Sequence, residues 1–123
     1  MHAANWFEIP ARDIGRAQRF YETLLNTKLR RETMGPHTMA IFPYGEGGAG
    51  GCLMDGEGMA PAAGHRGALV DLNAAPSLDA VLGRLGAAGG RLVTPKVTLP
   101  QGMGVFAHIE DSEGNRVGLH APA

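Results

Sequence analysis

The side chains of this chain best suited to chemistry are imidazoles and carboxylates that share a strand face. Two short runs, Val105–Ile109 and Arg116–His120, are joined by the polar link Asp-Ser-Glu-Gly-Asn at 111–115. Side chains alternate across a strand, so Gly118 and His120 share one face with Arg116, and Phe106 and His108 share one with Glu110. Near the N-terminus, Glu8 lies between Trp6 and Pro10 in NWFEIPA. A carboxylate held between an indole and a proline ring loses part of its water, which suits it to proton transfer, so Glu8 is the candidate general base. Glu8 and His120, joined by Asp71, His37 or His108, could instead form a displaced carboxylate–imidazole set for a divalent ion such as Zn or Fe. The plainer alternative leaves each of these groups lining a polar pocket, facing solvent, or, for Glu8, pairing with an arginine at a strand edge.

Other residues complete the predicted pocket. Trp6 offers a stacking surface. Gly118 leaves a gap beside an imidazole, and Met54 supplies a flexible, polarizable wall. Cys52, the single cysteine, sits in the apolar run GCLM between glycines and reads as a small buried hydrophobe rather than a reactive thiol. The predicted ligand pocket is therefore Trp6, Glu8, Cys52, Met54, Phe106, His108, Gly118 and His120. The glycine-rich GEGGAGG at 45–51 lacks the Lys-Ser/Thr and helix of a phosphate loop.

These residues need a scaffold, and the hydrophobic pattern supplies one. Asn5–Ala11 alternates as a strand, with Phe7 and Ile9 on the face opposite Trp6 and Glu8. Asp13 is a helix N-cap, and Ala17, Phe20, Tyr21, Leu24 and Leu25 form the stripe of an amphipathic helix. Lys28–Thr33, His37–Phe42 and Gly51–Met54 are candidate strands, and Asp55–Gly64 reads as a linker. The order then repeats. Ala68–Leu72 is a strand, Ser77 caps a helix carrying Leu78, Val81, Leu82 and Leu85 that Gly89–Gly90 stops, and Arg91–Val93, Met103–Ile109 and Arg116–His120 follow as strands. The last two form a hairpin with Gly114 or Asn115 at the positive-φ position. The pattern is β-α-β-β-β written twice, module one at about 1–60 and module two at about 64–123, within one domain of 1–123. One such unit has a single apolar sheet face and cannot close a core alone, so the two must pair around a shared cleft. The fold class is α+β.

Composition excludes several classes of function. A formal net charge of −1, with no face collecting Lys or Arg beyond Lys28–Arg30–Arg31, gives no nucleic-acid footprint. That small basic group reads as a complement to a helix C-terminus. Apolar runs fall far short of the ~20 residues of a membrane span. The N-terminus lacks the pattern of a signal peptide, and the lone cysteine fits a reducing cytoplasm.

Three segments, FEIPARDIGRAQRFYETLL, LDAVLGRLGAAGGRLVTPK and FAHIEDSEGNRVGLH, together resemble the vicinal oxygen chelate superfamily, which includes glyoxalase I, extradiol dioxygenases and the bleomycin and fosfomycin resistance proteins. The last segment resembles the family's D-P-x-G-N/H turn, with Ser112 in place of proline. The resemblance implies two paired βαβββ modules forming a half-open, barrel-like sheet, a homodimer, and a metal ion (Zn, Ni, Fe or Mn) held by four side chains. Those four positions fall on Trp6, on Gly51 or Cys52, on Leu69 or Val70, and on Gly118, where metal-binding relatives often carry Glu. Trp, Gly, Leu and Val offer no lone pair to a metal, so the expectation is no metal cofactor. The function expected is metal-independent binding of a small, largely apolar ligand between the sheets. The alternative is a glyoxalase-related lyase or dioxygenase-type enzyme using a displaced metal site or Glu8 as base.

Overall fold

A computed structural model describes residues 3–55 and 63–123, so most of the predicted linker, Asp55–Gly64, falls outside the described residues. The first half runs β1 (Trp6–Pro10), α1 (Ile14–Leu25), β2 (Arg30–Met34), β3 (His37–Ile41) and β4 (Gly50–Met54). The second runs β5 (Asp71–Asn73), α2 (Leu78–Leu82), α3 (Leu85–Ala88), β6 (Arg91–Thr98), β7 (Val105–Glu110) and β8 (Arg116–Ala121). Each half builds a four-stranded sheet, ordered β1-β4-β3-β2 and β5-β8-β7-β6, and neither closes into a barrel. In both, the first strand runs parallel to the last, and the remaining pairs are antiparallel.

Local sequence explains the elements. Asp13 caps α1 by accepting the Arg16 N–H at 3.0 Å, and Asn26 ends it in the left-handed region. Ala17, Phe20, Tyr21 and Leu24 form its buried stripe. No basic residue occupies the last turn of α1. Arg31 instead bonds the Gln18 side chain, and Arg84 Nε donates to the Leu24 carbonyl at 2.8 Å, capping the helix from the second module.

Most strand ends fall within two residues of expectation, and three differences are larger. The second helix is broken into α2 and α3 at Gly83–Arg84, where Arg84 turns to reach α1. Strand β5 begins at Asp71, not Ala68, because residues 68–70 fall outside its ladder with β8. Strand β6 runs on through Thr98. It is an edge strand, so its register can shift between Leu92 and Thr94 and again across Pro95 without losing an inner ladder.

One apolar core joins the halves. Ile9, Phe20, Tyr21, Leu24 and Leu53 from the first module share it with Leu72, Leu78, Ile109, Val117 and Leu119 from the second. The β7–β8 turn locks this arrangement. Gly114 takes the positive φ, at 90°, and Asp111, Glu113 and Asn115 are all buried. Asn115 Nδ2 donates to the Pro10 carbonyl at 2.8 Å, and Glu113 accepts from the Asp13 N–H and the Arg16 guanidinium, both at 2.7 Å. Tyr21 donates its hydroxyl to Asp111 at 2.6 Å. The turn's polar residues thus hold β1 and α1 rather than doing chemistry.

Candidate functional site

With Leu72, Ala107, Ile109, Val117 and Leu119 turned into the core, alternation sends their neighbours to the opposite face of the second sheet. Register lines them up in rows across β5, β8 and β7: Asp71, Gly118 and His108 in one, Asn73, His120 and Phe106 in the next. The face opens into a cleft of about 700 Å³. Its walls are mostly apolar, with Ala75, Leu99, Phe106 and Pro122 around Asp71, His108 and His120.

Hydrogen bonds fix both imidazoles. Arg116 donates to His108 Nδ1 from Nε at 3.2 Å and from Nη2 at 3.0 Å, and Nη2 also donates to Thr94 Oγ1 at 2.9 Å. Arginine only donates, so Nδ1 is the acceptor and the ring proton sits on Nε2. His120 Nε2 lies 2.7 Å from the Met103 carbonyl, which only accepts, so Nε2–H donates there and Nδ1 has no hydrogen-bond partner among the described residues. Gly104 permits this contact. It has φ +97°, and a Cβ there would stand 2.9 Å from His120 Nε2 and 2.4 Å from the Ala121 carbonyl.

Asp71 takes the place that Gly118 leaves open. A Cβ at position 118 would lie 1.8 Å from Asp71 Oδ1. The carboxylate therefore lies across the middle strand of its row.

The predicted pocket residues divide between the two sheets. Phe106, His108 and His120 come together in the second-sheet cleft, with Gly118 beneath Asp71. Trp6, Glu8, Cys52 and Met54 lie on the first sheet and do not line it. Trp6 is 40% exposed and meets Tyr44 edge to face, ring centroids 6.0 Å apart. Cys52 and Met54 are buried with Ile41 in a small cluster of their own. Burial, then the charge of Glu8, pushes the Cys52 thiol up to about 11, with the Trp6 indole partly offsetting them. Glu8 borders a separate hollow of about 180 Å³ beside Arg66 and Arg116. A further hollow of about 600 Å³ lies at the seam between the sheets, lined by Phe7, Phe42, Tyr44 and Leu69 and sharing Asp71–Asn73 with the cleft.

Sequence reasoning placed Asp71 only in a displaced metal set and passed over Asn73. The signal was the alternation Asp71-Leu72-Asn73, obscured by placing the strand at Ala68–Leu72, which stops short of Asn73.

The glyoxalase/bleomycin resistance protein/dioxygenase superfamily model matches residues 3–119. The chain belongs to that superfamily. The antibiotic binding protein TnmS3 from Streptomyces sp. CB03234 is 25% identical over 100% of this chain and 98% of its own, with a TM-score of 0.70. A genomically encoded fosfomycin resistance protein from Listeria monocytogenes is 15% identical over 98% of this chain and 93% of its own, TM-score 0.66. Glyoxalase I from Zea mays is 20% identical over 95% of this chain, TM-score 0.67, and the chain spans only 45% of its length. At these identities the likeness to the Listeria and maize proteins is one of fold. No curated protein matches the chain in sequence.

The family's metal can be tested against the residues present. In register, the first sheet offers Glu8 beside Cys52, and the second offers Asp71 beside Gly118. Cys52 is buried with its thiol value raised, so binding an ion would cost it a proton and bring only the neighbouring Glu8 as a second donor. Gly118 has no donor side chain. Among the described residues no three His, Cys, Asp or Glu side chains gather as a metal site would require. The donor set does not fit a family-type ion.

Proposed function

We propose that this superfamily member binds a small, largely apolar molecule in the cleft of its second sheet and holds it without a metal ion. The observation that carries this reading is the cleft itself: about 700 Å³, walled by Phe106, Leu99 and Pro122, with only a few polar groups among them. Such a volume and such a lining suit a drug-sized ligand. The two fixed imidazoles would orient it, His108 donating through Nε2–H and His120 accepting through Nδ1, while Phe106 packs against its body. The full-length likeness to an antibiotic binding protein supports a binding role. We further propose that the protein acts as a homodimer, since maize glyoxalase I is about twice as long as this chain, and in the cytoplasm, where the free Cys52 stays reduced.

The enzymatic alternative, a lyase- or dioxygenase-type reaction with Glu8 as base, has less support, because Glu8 borders a different hollow from the cleft.

Thermal-shift screening against small aromatic compounds tests the binding reading, because a ligand of the folded state raises the melting temperature. A hit should lose its shift in Phe106→Ala and His108→Ala variants that melt as cooperatively as the wild type. Hits untouched by both variants would place the site elsewhere.

A further inference from the structure

We propose that this cleft selects ligands carrying a positively charged nitrogen, received by the Asp71 carboxylate over Gly118. The inference rests on the reading of the cleft as a small-molecule site and adds the chemistry that the site prefers.

Three observations carry it. The first is position. Asp71 pairs with Gly118, and Gly118 pairs with His108, so one row runs across β5, β8 and β7. Facing Cβ atoms on neighbouring antiparallel strands stand about 5 Å apart. With Oδ1 only 1.8 Å from where a Cβ of residue 118 would be, the carboxylate sits about one such spacing from the base of the His108 side chain. One ligand can span the row, with its charged nitrogen on Asp71 and an acceptor toward His108.

The second is charge. Among the described residues no Lys or Arg pairs with Asp71, and none lines the cleft. Arg116, in the adjoining row, keeps its charge, but its guanidinium is directed at His108 and Thr94 rather than at Asp71. Asp71, exposed on the edge strand β5 at the side of the cleft, has no cationic partner among the described residues.

The third is the set of polar groups left to a ligand. Donors come from His108 Nε2–H and from the amide of Asn73, whose Oδ1 already accepts the Ala75 N–H, and Asp71 is the one carboxylate lining the cleft among the described residues. An ammonium supplies three donors and a charge to that carboxylate together, and the Phe106 ring, 5.3 Å from the His108 ring, adds an aromatic face that attracts cations.

Three fluorescent probes of one shape test this on the full chain: 9-anthracenemethylamine, 9-anthracenemethanol and 9-anthracenecarboxylate. The amine should bind about five- to tenfold tighter than the alcohol, as expected of a charge-assisted hydrogen bond at a partly open site, and the carboxylate should bind weakest. Asp71→Asn should bring the amine down to the alcohol's affinity and leave the alcohol nearly unchanged. Gly118→Ala, which evicts the carboxylate from its place, should reduce the preference in the same direction. Phe106→Ala should weaken all three, tying them to the cleft. If the alcohol binds in the cleft but the amine binds no tighter, or its advantage survives Asp71→Asn, the charge preference is overturned and the binding reading stands. If no probe binds, both fall.

Discussion

Tyr21, in the middle of α1, donates its hydroxyl to Asp111 in the β7–β8 turn at 2.6 Å. Asp111 also accepts from the Glu113 and Asn115 backbone N–H groups at 2.8 and 2.9 Å and from the Asn115 amide at 3.0 Å. Burial, then the neighbouring charge of Asp111, raises the phenol well above its usual value, so it stays a donor. Tyr21→Phe keeps the ring contacts with Phe20 and Phe42 and removes one of four donors. It should cost about 1–2 kcal/mol in urea denaturation, whereas Asp111→Ala, which strands four donors, should cost about 3 kcal/mol or more. Equal losses would mean that Asp111 does not organise the turn.

Glu113 makes the same turn sensitive to acid. Burial alone would raise its carboxyl, but bonds from Arg16, the Asp13 N–H and Ser112 outweigh it and hold the group below 4.5. A carboxyl depressed in the folded state stabilises the fold above its unfolded value, and that contribution is lost as pH falls through the folded value. Thermal midpoints should therefore hold between pH 7 and about 5 and decline below about 4.5. Glu113→Gln should melt lower at neutral pH and decline less steeply in acid, so that the two curves converge.

Much of this scaffold was legible in the chain, because burial and turn chemistry leave local marks. Asp13 and Ser77 as caps, the Ala17–Leu24 stripe and the positive φ of Gly114 all follow from short-range pattern. The roles of Asp111, Glu113 and Asn115 did not, since their partners Tyr21, Arg16 and Pro10 lie some ninety to a hundred residues away. The site was legible in part for a similar reason. Alternation put Phe106, His108 and His120 on strand faces. Which of the two sheets would open into the larger cleft depended on packing that no local window records, namely Cys52 and Met54 closing against Ile41.

Gly104 holds the rim of the cleft. Its φ of +97° and the 2.4 Å approach that a Cβ would make to the Ala121 carbonyl leave no room for a side chain. Gly104→Ala should cost about 2–4 kcal/mol, by backbone strain and displacement together, and should loosen the Met103 carbonyl from His120. Gly45→Ala, with open space around it, should change stability by less than about 0.5 kcal/mol. Nitrogen NMR of the His120 ring reads the second effect directly: the hydrogen-bond shift of its Nε2 signal in the wild type should move toward that of a solvent-exposed imidazole in Gly104→Ala.

Cys52 distinguishes the two sheet faces. Its thiol is buried, and burial followed by the Glu8 charge lifts it to about 11, so at pH 8 it is protonated and out of reach of a disulfide reagent. Folded protein should react with Ellman's reagent only as fast as the first sheet opens, and unfolded protein should react at once. A cleft ligand should slow the folded reaction only through its general stabilisation of the fold, by the same factor for Cys52 as for amide exchange in the core. Fast labelling that a ligand abolishes outright would instead show Cys52 at an open surface in direct contact with that ligand. The binding face would then be the one carrying Trp6 and Glu8, and the assignment of the second-sheet cleft would be wrong.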